Sequence, residues 1–169
     1  VKITSDSIKA SVAAYYRYQR QLPLVALEAN SRLEAFNDGG QADVLAVGKS
    51  RLLIEVEVKL NLADLRRDKH KLKHRNYRDN LVNYPTHLFY FAVPKALANQ
   101  AVLICEQLYP YAGVLGCDGQ GQFDVVVYRE GKALWGKCLT FPQLLRMVRE
   151  QSATVCRLAE ALAKFKSKQ

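Results

Sequence analysis

Residues 53 to 60, LIEVEVKL, alternate the apolar side chains of Ile54, Val56 and Val58 with the charged ones of Glu55, Glu57 and Lys59. Side chains of a strand point to opposite faces in turn, so a strand here gathers three charges on one face. A further acid, Asp43, stands near the start of the preceding apolar run, QADVLAV, and the short link GKS between the two runs is a hairpin signal. A hairpin makes the runs neighbours and brings Asp43 towards Glu57. Two carboxylates and the Val58 carbonyl form a hard-oxygen cradle suited to a divalent cation such as Mg2+, with Mn2+ as a substitute. Such a cation lowers the pKa of bound water and neutralises charge on a phosphate, while Lys59 orients the attacking water or stabilises the developing anion. Phosphodiester hydrolysis is the chemistry that needs this combination.

The triplet acid-x-Lys is weak by itself, and the chain holds a second copy, Glu130-Gly131-Lys132, which reads as an exposed hairpin tip between FDVVVYR and ALWGKCL. What distinguishes Glu57-Val58-Lys59 is its surroundings. Directly after it, NLADLRRDKHKLKHRNYRDNL predicts a helix capped by Asn61, with apolar positions at Leu62, Leu65, Leu72 and Leu81 and the rest of its surface solvated. Between Lys59 and Arg78 eight basic residues stand against two acids, two thirds of the chain's net charge of +9. An excess of one sign without alternating acids points to a polyanion. Arg66, Arg67, Lys69, Lys71, Lys73, His74, Arg75 and Arg78 are the expected phosphate contacts, with Tyr77 either stacking on a base or packing beneath the helix. His70 and His74, four residues apart, form a potential metal pair that lacks a third ligand.

The elements needed to hold this site are legible as a series. A first helix runs from a Ser/Asp cap to about Leu22 before Pro23, with Tyr15, Tyr16 and Tyr18 as core and edge residues. LVALEA (24 to 29) predicts a strand, extended by or paired with RLEAF before the turn NDGGQ. The strand THLFYFAV, with His87 in a structural role near its start, completes a strand, helix, strand unit expected to be a parallel crossover. A helix over ALANQAVLICEQL, three short strands at AGVLGCD, FDVVVYRE and KALWGKCL, and a C-terminal amphipathic helix at about 141 to 164 follow. That last helix carries a Thr140 to Gln143 capping box and an apolar stripe through Leu144, Val148, Val155, Leu158 and Leu162.

QADVLAV, the hairpin and LLIEVEVK together resemble the core of the PD-(D/E)XK nuclease superfamily, with Asp43, Glu57 and Lys59 at its two acids and its lysine. VKLNLADLRRDKHK is similar to the run K-x-S-x-x-D-x-x-x-D-x-K of MmcB-like proteins, small bacterial members predicted to act in DNA repair, with Asn61 where that run has Ser. HLFYFAVP and YAGVLGCD sit where that group has its next strands. Ala42 departs from the Pro common at its position. The resemblance covers about residues 24 to 118. It implies a restriction-endonuclease-like α/β fold with a central mixed sheet flanked by helices, and a Mg2+-dependent DNA endonuclease. It also implies an acid upstream of the first motif, for which Glu28 is the candidate and Glu34 the alternative. Glu55 is either a further metal ligand or the partner of a nearby basic residue. A catalytically silent nucleic-acid-binding module and an RNA-processing nuclease are the alternatives on the same fold.

The bulk composition agrees with one globular domain spanning residues 1 to 169: about half the residues are hydrophobic and 24% are charged. No apolar run approaches the roughly 20 residues of a membrane span, and the N-terminal residues do not form the apolar stretch of a secretory signal. A prokaryotic or phage-encoded protein of the cytoplasm is expected, with Cys105, Cys117, Cys138 and Cys156 as free thiols. Cutting both strands of a duplex calls for two active sites, so a homodimer is the expected assembly.

Overall fold

In the computed structural model, which describes residues 2–30, 40–79 and 84–166, one six-stranded sheet has its strands in chain order. Strands β1 (Leu24–Asn30), β2 (Gln41–Val47) and β3 (Leu53–Val58) form an antiparallel meander. Strand β4 (Thr86–Val93) then pairs parallel to β3, and β5 (Gly113–Gly116) parallel to β4. Strand β6 (Val126–Arg129) returns antiparallel at the edge. The fold is α/β, with a mixed open sheet flanked by helices. RLEAF, Glu34 and Leu81 lie outside the described residues.

Helix α1 (Ser5–Ala14) is capped by Thr4, whose side chain and Ser7 exchange hydrogen bonds, one residue earlier than the expected Ser/Asp cap. It widens into a π-helical turn over Tyr15–Gln19, burying Tyr15 and Tyr16 and leaving Tyr18 exposed. Its Ile8 and Val12 cover the sheet face formed by Val44, Val56, Val58 and Ala92. Because strand side chains alternate, the other face carries Leu53, Phe89, Phe91 and Val93, and with them Glu55 and Glu57. Helix α4 (Ala98–Leu108) and the segment after Lys59 cover that face.

The expected single basic helix is broken. It forms α2 (Leu62–Arg67), capped as expected by the Asn61 side chain, then a 3-10 turn over Asp68–His70, then α3 (Leu72–Arg78). Lys71 at the break has extended backbone, φ −66° and ψ 138°. The break rotates α3 relative to α2, so that Leu72 is 53% exposed while Lys73, His74, Asn76 and Tyr77 are buried. Residues 133 to 139, expected to be a strand, instead run as an irregular segment across the end of β4, where Leu134 N–H donates to the His87 carbonyl at 2.7 Å. Gly136 permits that path, since a Cβ there would lie 2.4 Å from the Thr86 carbonyl oxygen. Glu130 and Lys132 are exposed but end no hairpin: Glu130 accepts from the Tyr90 hydroxyl at 2.8 Å.

Helix α5 (Phe141–Lys166) begins as expected, with Gln143 Oε1 accepting from the Thr140 backbone at 2.9 Å, and it packs on β1 through Leu144 and Met147. Its apolar stripe does not close the domain: Val148, Val155, Leu158 and Leu162 are 44% to 61% exposed. No helix among the described residues is long and apolar enough to cross a membrane. All four cysteines are free, Cys105 and Cys117 buried, Cys138 and Cys156 exposed.

Candidate active site

The end of β1, the start of β2 and the end of β3 meet at one edge of the sheet because the meander reverses direction twice. Asp43 lies one step beyond the paired Val44 and Val56, and its Oδ2 accepts from the Val58 N–H at 2.7 Å. Glu57 follows on β3 and Lys59 just past its end, with Lys59 Nζ 3.1 Å from Glu57 Oε1. The three residues singled out in the sequence are therefore neighbours. An open cleft beside them is lined by Ser5, Val58, Lys59, Asn61, Asp68 and Lys71.

Glu28 belongs to this edge as well. It adopts φ +52° in β1, and the pairing with β2 skips it, passing from Leu27↔Val44 to Ala29↔Ala42. A side chain with a Cβ in the left-handed region costs about 1 to 2 kcal/mol, and such strain is characteristically held at functional positions. The Glu28 carbonyl is held by Gln41 Nε2 at 2.7 Å, and its carboxylate accepts from Lys9 Nζ at 2.8 Å. Lys9, reaching over from α1, is also 3.8 Å from Asp43 Oδ1. Nothing in the sequence marked Lys9, whose contact with Asp43 spans two intervening elements.

On the other side of β3 the broken helix supplies a dense charge network. Glu57 accepts from Lys59, from Lys71 at 2.5 Å and from Lys73 at 2.6 Å. Lys73 also donates to Glu55 Oε1 at 3.0 Å. Glu55 is fully buried, and its second oxygen accepts from the hydroxyls of Tyr77 at 2.5 Å and Thr86 at 2.7 Å. Every oxygen of Glu55 is thus occupied by internal donors, and it stands as the partner of a basic residue. Asp68, not among the residues expected at the site, accepts from Lys59 at 2.7 Å and Lys71 at 3.0 Å, and from His74 Nε2 at 3.2 Å.

Two of the expected phosphate contacts, Lys73 and His74, are therefore reassigned, and Tyr77 takes the packing role rather than the stacking one. Lys73, His74 and Tyr77 are buried and face the acids of the sheet, because the break at Lys71 turns α3 inwards. His74 Nδ1 lies 2.8 Å from the Tyr111 hydroxyl, and its ring packs against Phe89 and Tyr109. Burial lowers its pKa by disfavouring the charged ring, against the opposing hydrogen bond to Asp68. His70 is exposed, and the two histidines do not form a metal pair. Arg66, Arg67, Lys69, Arg75 and Arg78 are exposed, as is Lys71, whose ammonium bridges Glu57 and Asp68. Among the described residues no group of three or more His, Cys, Asp or Glu side chains is disposed to hold a metal ion.

Asp43 differs in its electrostatics from the two acids closest to Lys59, Glu57 and Asp68. Burial opposes ionisation of Glu57, yet Lys73, Lys59 and Lys71 together outweigh it and hold the carboxyl at about 2. Asp68 is likewise held well below the ordinary carboxylate range, with burial opposed by His74, Lys59 and Lys71. Asp43 is shifted the other way: burial raises it, Glu57 adds repulsion, and the Val58 N–H, Lys9 and Lys59 compensate only in part. A carboxyl depressed on folding stabilises the native state above its unfolded pKa, near 4.5 for Glu57, and that stabilisation is lost as pH falls towards 2. Glu57 alone accounts for about 3 kcal/mol on this reasoning. The urea midpoint is therefore expected to hold from pH 7 to about 5 and to fall between about 4.5 and 2, while the difference between wild type and Glu57→Gln shrinks over that window. A difference that stays constant down to pH 3 would disprove the coupling.

No protein-family model matches the chain, and no curated protein does. Among solved structures, a protein of unknown function from Silicibacter pomeroyi aligns with a TM-score of 0.63 over 98% of this chain and 96% of that one, at 17% identity. At that identity the likeness is one of fold.

Proposed function

We propose that this chain is a magnesium-dependent DNA endonuclease with a restriction-endonuclease-like fold, a member of the PD-(D/E)XK group related to MmcB-like proteins. The observation that carries the reading is the meeting of Asp43, Glu57 and Lys59 at one edge of the sheet, beside an open cleft. Two carboxylates and the Val58 carbonyl are the kind and number of donors that suit Mg2+, which keeps several waters and takes the rest of its coordination from substrate phosphate. Asp43, raised by burial and by Glu57, is the group that gains most from a cation beside it. Lys71, 45% exposed on a flexible stem, carries the positive charge now closest to Glu57 and is free to yield to another cation.

When bound, the metal supplies an activated water and charge neutralisation at the phosphate. The residues of the chain do the rest. Lys59, held between Glu57 and Asp68 and lining the cleft, orients the incoming water and then stabilises charge developing on the phosphate oxygens. A P–O bond forms from water, the ester P–O bond breaks, and the departing oxygen takes up a proton to leave a hydroxyl and a phosphate monoester. Asp68 and His74 act by positioning Lys59. The exposed Arg66, Arg67, Lys69, Arg75 and Arg78 offer the backbone contacts that hold a duplex without reading its sequence.

Supercoiled DNA incubated with the protein and Mg2+ is expected to become nicked and then linear. The reaction should stop on chelation, and Asp43→Asn should lose about a hundred-fold or more of it while keeping the wild-type thermal transition. Equal cutting by wild type and Asp43→Asn, or cutting indifferent to chelator, would refute the reading.

A further inference from the structure

Helix α5 presents an apolar seam that the domain does not close over: Val155 and Leu158 line an open groove against Ala13, Tyr18, Val25 and Leu27, yet both stay more than half exposed. From Val155 to Lys166 every residue is exposed, twelve residues or about 18 Å of helix. A helix of that length is marginal alone in water. Yet this stretch carries Val155, Leu158, Leu162 and Phe165 on one face, 55% to 62% exposed.

The spacing of these residues identifies the occupant. Phe141, Val148, Val155 and Leu162 recur at intervals of seven, and Leu144, Leu158 and Phe165 hold the second position of the same repeat, with Gln151 as its polar member. Leu144 packs on β1, and from Val148 to Phe165 the spacing keeps a period of 3.5, the pattern of helices that wind around one another, whereas a helix lying on a surface follows 3.6. Flanking the distal seam are Ser152, Thr154, Ala159 and Ala161, small and uncharged, with Lys166 beyond its last apolar member, while Arg149, Arg157, Glu160 and Lys164 lie outside it. Two copies of a chain with net charge +9 can therefore approach along this strip without opposing like charges. Paired along the seam, two copies remove on the order of 1,200 Å2 from water, the lower limit of a specific interface.

We propose that α5 is a homodimerisation helix, and that two copies of this chain pair through the seam from Val148 to Phe165 in an isologous contact. Such pairing holds two sheets in one particle, each with its own cleft. The proposal does not rest on the nuclease reading.

Light scattering and sedimentation equilibrium on the full chain, without DNA or metal, test it. Wild type is expected at twice the 19.1 kDa chain mass at micromolar concentration. Leu158→Glu combined with Leu162→Glu, both at exposed positions, should weaken association about a hundred-fold or more and retain the thermal transition of the core, whereas Arg157→Glu, outside the seam, should remain dimeric. A monomeric wild type, a dimer that survives the double substitution, or equal loss with Arg157→Glu would overturn the proposal. So would a monomer that sediments with anionic phospholipid vesicles, which would assign the seam to a membrane surface. Because neither DNA nor metal is present, failure here leaves the cleavage test of Asp43→Asn untouched, and the converse holds.

Discussion

Replacing Lys73 with Met is expected to cost about 3 to 5 kcal/mol of stability, the largest effect of any single substitution outside the apolar core. Lys73 is a basic residue buried between two acids, 3.0 Å from Glu55 and 2.6 Å from Glu57. Burial opposes its charge, but Glu55 and Glu57 outweigh that and raise its pKa above the ordinary lysine value. Methionine fills nearly the same volume, so packing is conserved and the loss is electrostatic. Glu57 would keep Lys59 and Lys71, whereas Glu55 would keep only the hydroxyls of Tyr77 and Thr86. The charge left exposed to the low-dielectric interior is therefore that of Glu55, and Glu55→Gln in the Lys73→Met background should recover much of the stability. Urea unfolding of the two single variants and the double variant measures this coupling directly. A cost below about 1 kcal/mol for Lys73→Met would mean that the side chain is solvated and the network open.

The second large effect is catalytic. Lys59→Met is expected to reduce Mg2+-dependent cleavage by two to three orders of magnitude, about 2.7 to 4 kcal/mol of transition-state stabilisation, as for removal of a preorganised donor. Lys132→Met, in the other acid-x-Lys triplet, should leave the rate within about two-fold, since that lysine is exposed away from the cleft. The comparison isolates position from composition, because both substitutions remove one positive charge from the same tripeptide pattern. Stability is expected to fall modestly in Lys59→Met, as Asp68 retains Lys71 and His74. Single-turnover rates at saturating DNA separate loss of chemistry from loss of binding. Parallel behaviour of the two variants would end the assignment of Lys59.

Much of the frame was readable from local pattern. The alternation over residues 53 to 58, the GKS turn and the apolar run at 86 to 93 predict β2, β3 and β4 with their pairings, because strand periodicity and short connections are properties of contiguous residues. Asn61 as a cap and Thr140 with Gln143 were legible for the same reason. The π turn at Tyr15–Gln19, the positive φ of Glu28 and the break at Lys71 were not, since no Pro or Gly marks them.

For the candidate site the division falls between which charges gather and which charges meet. Periodicity in the sequence determines that Glu55, Glu57 and Lys59 share a face and that Asp43 comes to them across a hairpin. It cannot determine that Lys73, His74 and Tyr77 turn away from solvent, because a basic side chain on a solvated helix and one neutralising a buried acid are the same letter. Burial is decided by packing over long separations: 18 residues between Glu55 and Lys73, 37 between His74 and Tyr111. Those contacts convert Lys71, Lys73 and His74 of an apparent polyanion-binding helix into the electrostatic support of Glu55, Glu57 and Asp68, and only the charges left outside remain available to a partner.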